Sequence, residues 1–287
     1  MANANALDGY PVLSVLAHSF SGSTALSTAA SSSLGWVTFG DTYLRSGRDY
    51  SATTCSCDSR VAVCPARSHY SAKLEELGLE SGYSGIVPTP PTWLSERFAG
   101  SRPEWFWRLA AQTHMDRRFL KQERAITEAF PSGYVDGSKY LLRPELLSKL
   151  GANVRVLHMV RDPAVVVHSA MQRHGSGRSA AEWFGRWRRY VSAAIRVSNK
   201  LPSELLFYED SKPHLEQQQL PELATSMLSD WPTGQEGPHT IGNRSRNPKD
   251  RRPDASLGEV QEFRELFRTE VERCLRIDAR LERYGAE

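Results

Sequence analysis

The chain has 287 residues, 40% apolar and 24% charged, with a formal net charge of +3. This is an ordinary globular composition with room for a sizeable core, and so mild a charge admits anionic ligands without demanding nucleic acid. No window approaches eighteen apolar residues, which excludes a membrane-spanning helix, and four cysteines in a chain this long do not make a small disulfide framework. The N-terminal stretch MANANALDGYP lacks the basic flank and apolar segment of a secretory signal. A soluble, cytoplasmic protein with no nucleic-acid partner is therefore expected.

Taken in chain order, residues 12–16 are a brief apolar run suited to a strand buried on both faces. Residues 24–33 carry alanines and no proline and predict the first helix; 36–39, in GWVTFGD, predict the second strand. Serines, three close cysteines and Pro65 make residues 44–70 read as an inserted loop, and 88–103 as a proline-rich connector. Residues 103–130 have helical character, and GYVDGSK then predicts a short strand ending in a polar turn. The valine-rich run 154–160 is the strongest strand signal, with a helix after Pro163, a second long helix over 180–198 and a strand over 204–208. Residues 232–255 read as loop. Ser256, with Glu259 three residues on, opens a last helix whose apolar face is Val260, Phe263, Leu266, Phe267, Val271, Cys274, Leu275 and Leu281. Strands alternating with helices predict an α/β fold with a mostly parallel sheet.

The segment 17–26, AHSFSGSTAL, follows the first strand and opens the first helix. Ser19, Ser21, Gly22, Ser23 and Thr24 are small enough for backbone N–H groups and a helix N-terminus to close around anionic oxygens. Set against the phosphate-loop pattern of ATP and GTP hydrolases, Ser23 stands where the lysine would grip the β- and γ-phosphates, and Ala17 where the first glycine would be. A nucleotide hydrolase is disfavoured, and a plain strand-to-helix turn is the alternative reading. In a second segment, VRVLHMVRDPAVVVHSAM, Arg161 emerges at a strand end and Ser169 lies on the following helix. An arginine at the carboxyl edge of a parallel sheet faces the usual ligand crevice and can bind phosphate with a bidentate fork; the simpler alternative is a pair with Asp162 or an acidic surface residue.

Together these segments resemble the PAPS-dependent sulfotransferases, whose cofactor is 3′-phosphoadenosine 5′-phosphosulfate (PAPS). Further pieces agree in order: VDGSK at 135–139, FYED at 207–210 and HTIGNRSR at 239–246, while CSCDSRVAVCP at 55–65 is similar to a cysteine insert of one bacterial subgroup. The resemblance implies a P-loop-NTPase-like three-layer fold with helices on both faces of the sheet, and sulfuryl transfer to a hydroxyl or amine of a small-molecule, glycan or lipid-linked acceptor, with no obligatory metal. It also implies that the loop needs no lysine for a γ-phosphate, since PAPS has none. Many members carry a basic residue where this chain has Phe20. Residues 1–287 then read as one domain, with an acceptor-side region over about 42–130 and a C-terminal amphipathic helix over 256–283.

The roles the resemblance implies are as follows. Ser19, Phe20, Ser21, Gly22, Ser23 and Thr24 hold the 5′-phosphosulfate. Arg161 and Ser169 hold the 3′-phosphate, completed by Gly242, Asn243, Arg244 and Arg246, and Tyr208 lies near the adenine. Asp41, after the second strand, is the candidate base for the acceptor proton, or alternatively a cap; His18 is the second candidate. Lys139 is the candidate cation for the leaving phosphate, with Asp136 placed to orient it. Cys55, Cys57 and Cys64, with His69 nearby, can be read as a zinc site. The spacing matches no common zinc knuckle, so free thiols or a labile disulfide are the simpler reading and no metal is assigned. Trp93, Trp105 and Trp107 are candidate acceptor-site walls, whereas Trp183 and Trp187, one helical turn apart, read as core. A small-metabolite kinase of the phosphate-loop type is the alternative, and a non-catalytic anion- or nucleic-acid-binding module built on the basic run 244–252 is a third reading.

Overall fold

The computed structural model describes residues 7–40, 55, 57, 63–79, 117–174, 177–235, 237, 239–241 and 256–285. Strand β1 (Pro11–Ala17) is buried on both faces, because its side chains alternate between two cores. Val12 and Leu16 enter one, Leu13, Val15 and Ala17 the other. Helix α1 (Ser23–Leu34) returns the chain to β2 (Val37–Gly40). Helices α2 (Pro65–Glu76) and α3 (Arg117–Ala129) then lead to β3 (Tyr134–Gly137), and α4 (Arg143–Lys149) to β4 (Asn153–Val160). After β4 come α5 (Pro163–His174), α6 (Ala180–Ser198), β5 (Ser203–Phe207), α7 (Tyr208–Glu216), α8 (Glu222–Met227) and the two-residue β6 (Thr240–Ile241). The chain ends in α9 (Leu257–Leu266), α10 (Arg268–Leu275) and a 3-10 turn, Ala279–Tyr284.

The sheet runs β5-β4-β1-β3-β2-β6, and each neighbouring pair is parallel. β1 is the pivot, with Val12 opposite Tyr134 of β3 on one edge and Val154 of β4 on the other. One face of the sheet packs on α1, α7 and α8 through Leu26, Ala29, Leu215 and Ala224. The other carries α2, α3, α4 and α6, and α5 with the C-terminal helices covers its β4 end. This is an α/β fold with a parallel central sheet and helices on both faces, as the alternation of elements predicts. Among the described residues no helix is long and apolar enough to cross a membrane.

Several expected boundaries hold, and their causes are local. Both capping boxes form: Ser179 Oγ accepts from Glu182 N–H at the start of α6, and Ser256 Oγ from Glu259 N–H at the start of α9, each at 3.3 Å. Three expectations differ. Residues 65–70, expected in a loop, open α2, since Pro65 sits at the first helical turn, where its missing N–H costs nothing. Tyr208, expected at a strand end, is the first residue of α7. The expected single helix over 256–283 is broken at Phe267, whose φ of −117° and ψ of 29° leave the helical region. Phe263 and Phe267, one helical turn apart, meet at 4.8 Å and both pack on Phe184, while Leu266, expected on the apolar face, turns to solvent at 75% exposure. Trp183 and Trp187 are core residues, as their spacing predicts. Residues 88–103 and 103–116, with Trp93, Trp105 and Trp107, lie outside the described residues.

The carboxyl end of β3 is fixed by a buried polar network. Arg143, 1% exposed, pairs with Glu123 at 2.6 Å and with Asp136 at 3.1 Å. Tyr134 donates to Glu123 at 2.9 Å and accepts from Arg143 at 3.1 Å. The second oxygen of Asp136 accepts the Ser138 N–H, so this carboxylate shapes the turn after β3 that carries Lys139 as well as pairing with Arg143. Burial pushes the Glu123 carboxyl up from its ordinary value, against the pull of Arg143. Replacing Arg143 by methionine strands Glu123 and Asp136 in the core without their cation. Urea unfolding of Arg143→Met should show a loss of about 3–5 kcal/mol; an unchanged midpoint would mean that the network is not a pairing of charges.

Candidate anion-binding site

α1 leaves β1 toward one face of the sheet, whereas α5 and α6 leave β4 toward the other. Such a divergence opens a crevice beyond the carboxyl ends of the two strands, where α/β proteins bind ligands. The first wall is the turn from His18 to Gly22. It closes with Ser21 N–H donating to the His18 carbonyl at 3.1 Å, and it needs positive φ at Phe20 (70°) and Gly22 (81°). Gly22 is required twice over, because a Cβ there would also collide with the Tyr208 ring. Gly22 is the N-cap of α1, no side chain caps this helix, and its first turn holds no carboxylate. The positive end of α1 is thus left for an anion from outside. Ser21 is 1% exposed, and its hydroxyl has no protein partner among the described residues. Ser19 and Thr24 stand exposed at the rim.

The second wall comes from β4 and β5. Arg161, the first residue after β4, donates through Nη1 to the Phe20 carbonyl at 3.2 Å, and its guanidinium lies 4.4 Å from the centre of the Tyr208 ring. Loop, arginine and tyrosine therefore meet, although the sequence separates Phe20 from Arg161 by 141 positions. The carboxylate of Asp162 is engaged elsewhere. It accepts the Ala164 N–H at 2.7 Å, capping α5, and is paired by Arg264 of α9. Glu209 and Asp210, just after β5, also bind the C-terminal segment, Glu209 through Tyr284 at 2.6 Å and Asp210 through Arg283 at 2.6 Å. These pairs hold carboxylates that would otherwise repel an anion. Ser169 lies on the second turn of α5, half-buried. Phe20 packs edge-on against His174, with Arg173 over its ring.

The third wall is the turn after β3. Lys139 has a φ of 63°, and its carbonyl accepts the Tyr190 hydroxyl at 3.1 Å. The Tyr190 ring in turn meets His18 edge-on at 5.6 Å. His18 is 8% exposed, and its Nδ1 lies 3.0 Å from the Ser19 carbonyl. A carbonyl only accepts, so Nδ1 carries the proton and Nε2 the lone pair. Burial above all, with the charges of Arg186 and Lys139 adding to it against the Ser19 bond, lowers the His18 pKa to about 4. The imidazole is neutral at pH 7 and a weak base. Arg186, on α6, is a basic neighbour that the sequence reading missed; in WFGRWRRY it is one of several arginines on a helix, and only packing selects it. Asp41, Gly242, Asn243, Arg244 and Arg246 lie outside the described residues.

His69 stands edge-on to Phe130, with ring centres 6.2 Å apart. The sulfur atoms of Cys55, Cys57 and Cys64 gather instead around His239, which the sequence reading did not connect to them.

Two buried histidines set a pH dependence. Burial, reinforced by the charge of Arg280, lowers the His158 pKa to about 3, below even that of His18. The native chain then binds fewer protons than the unfolded chain below pH 6.5, so stability is lost as pH falls from 6.5 toward 4. Each histidine contributes a slope of up to about 1.4 kcal/mol per pH unit. Urea titrations between pH 6.5 and 5 should show this slope, reduced in His18→Gln; the same slope in that variant would mean that His18 takes up its proton while folded.

No family model matches the chain, and no curated relative matches it. Among solved structures it is similar to the sulfotransferase domain from the Synechococcus PCC 7002 olefin synthase, at 15% identity and a TM-score of 0.42, over 91% of this chain and 95% of that chain.

Proposed function

We propose that this chain is a sulfotransferase domain that binds PAPS across the β1–β4 crevice and transfers its sulfuryl group to a hydroxyl or amine of a small-molecule, glycan or lipid-linked acceptor. The observation that carries the reading is the meeting of the uncapped α1 N-terminus, Arg161 and Tyr208 at one crevice. It is supported by the order of the segments SFSGSTAL, VDGSK, RDP and FYED, and by a sheet with β1 between β3 and β4, which suits a P-loop-like fold.

Each part of the site suits one portion of such a ligand. The backbone N–H groups of the 18–23 turn and the hydroxyls of Ser19, Ser21, Ser23 and Thr24 would take the 5′-phosphosulfate. Arg161 offers a planar fork of donors for the 3′-phosphate, with Ser169 and the 242–246 segment completing it. Tyr208, in contact with Gly22 and Arg161, would supply an aromatic ring on the adenine side of the crevice. PAPS supplies an activated sulfuryl group on a phosphate leaving group. As that bond breaks, charge grows on the phosphate, and the helix end and Lys139 are the groups placed to stabilise it. Asp41 takes the acceptor proton. His18, buried and held to a pKa of about 4, keeps the turn closed through its bond to Ser19.

The test is thermal stabilisation by the desulfated product, adenosine 3′,5′-bisphosphate, against ADP, ATP with Mg²⁺ and adenosine 5′-phosphosulfate. A ligand specific for the native state at a hundred times its Kd adds about 2.7 kcal/mol. Stabilisation by the bisphosphate alone is expected; stabilisation by ATP with Mg²⁺ and none by the bisphosphate would replace the proposal with a kinase. Arg161→Ala should weaken the bisphosphate by about 1.5–3 kcal/mol, roughly ten- to a hundredfold, as expected for a lost charged hydrogen bond. Asp41→Asn should slow turnover by about a hundredfold with bisphosphate affinity intact. Full activity in that variant would transfer the base role to His18.

A further inference from the structure

The Sγ atoms of Cys55, Cys57 and Cys64 and the Nδ1 of His239 all lie within 4.8 Å of one another. Cys64 Sγ is 3.5 Å from Cys55 Sγ, 3.8 Å from Cys57 Sγ and 3.5 Å from His239 Nδ1. Cys55 Sγ is 3.9 Å from the same nitrogen. A tetrahedral zinc ion with bonds of about 2.3 Å to sulfur and about 2.0–2.1 Å to nitrogen separates its ligands by roughly 3.8 Å between sulfurs and roughly 3.6 Å between sulfur and nitrogen. These four distances lie within about 0.3 Å of those edges, and Cys55 and Cys64 are each 1% exposed. Among the described residues none of the three is in a disulfide. Sulfur packing alone would not bring an imidazole nitrogen into the same set from a separate element.

We propose that Cys55, Cys57, Cys64 and His239 bind one zinc ion in a closed, four-protein-ligand structural site. Three thiols and one imidazole are a soft donor set that selects zinc over magnesium or calcium. With four protein ligands no position is left for substrate, so the ion holds structure and takes no part in transfer. The inference stands independently of the sulfotransferase reading.

The elements around the ligands show what the ion would join. Cys64 is the N-cap of α2, so its sulfur stands at the start of that helix. His239 leads into β6 after a tight turn in which its N–H donates to the Gly237 carbonyl at 2.9 Å, with Gly237 at a φ of 76°. The His239 carbonyl accepts the Thr38 N–H of β2 at 2.7 Å. β6 is two residues long and lies at the sheet's edge, so backbone pairing by itself holds it weakly. A zinc ion would pin this edge to the start of α2 and to the 55–57 segment. Binding releases the protons of the three thiols, so affinity should fall with falling pH.

The experiment is metal analysis of the purified full-length chain, followed by exchange of the metal for Co²⁺. Stoichiometric zinc, and on exchange the intense visible absorption of tetrahedral cobalt with sulfur-to-metal charge transfer, are expected. Cys57→Ser, chosen because Cys57 is only half-buried, and His239→Asn should lose the stoichiometric metal, whereas His69→Asn keeps it. In the unaltered protein a zinc chelator should release the ion, lower the melting temperature and expose three titratable thiols, a readout that does not depend on any variant folding. Metal-free protein that fails to take up added Zn²⁺ or Co²⁺ would overturn the proposal. So would a Cys55–Cys64 disulfide in the intact mass of the purified chain, or full zinc retention by His239→Asn.

Discussion

The molecule depends on β1 being hydrogen-bonded along both edges to parallel partners. Parallel pairing orients β1, β3 and β4 alike, so their carboxyl-end turns emerge on one side of the sheet. Although α1 and the helices after β4 leave toward opposite faces, the turn at 18–22 and Arg161 stay joined at the strand ends by the bond to the Phe20 carbonyl. The crevice is a consequence of topology. What fills it is the chemistry of a few side chains at the strand ends.

The electrostatics of the crevice come from removing acids as much as from adding bases. Asp136 is turned into the core by Arg143, Asp162 is held by Arg264, and Glu209 and Asp210 are occupied by Tyr284 and Arg283. Four carboxylates near the strand ends are thereby drawn into pairs within the protein. Arg186 and Lys139 act at His18, where their charges add to the burial that depresses its pKa. The C-terminal helices have a part in this. The chain break at Phe267 seats them on α5 and α6, and Arg264 and Arg283 reach the acidic residues from there.

Polar groups in the core are arranged to be specific rather than merely tolerated. Arg143, Glu123, Asp136 and Tyr134 satisfy one another across α3, β3 and α4, which fixes where the turn carrying Lys139 begins. Buried charges of this kind gain little over an apolar core, yet they penalise any packing that separates them. At the other edge of the sheet, the sulfur cluster and His239 bring β6 and the start of α2 to one point.

Taken by itself, the sequence determined what is local. A short apolar run marked β1 and a valine-rich run β4, serine and glutamate spacing marked the start of α9, and the small residues of SFSGST marked a turn able to receive an anion. These rest on backbone preferences and on contacts within a few residues. Only the tertiary structure decided that Arg143 claims Asp136, that Arg264 claims Asp162 across 102 positions, and that His239 joins Cys64 across 175. No spacing rule reaches so far along a chain. These partners are chosen by which strand ends and helix starts the parallel sheet brings together, and by the burial that leaves each charge or thiol no water to pair with instead.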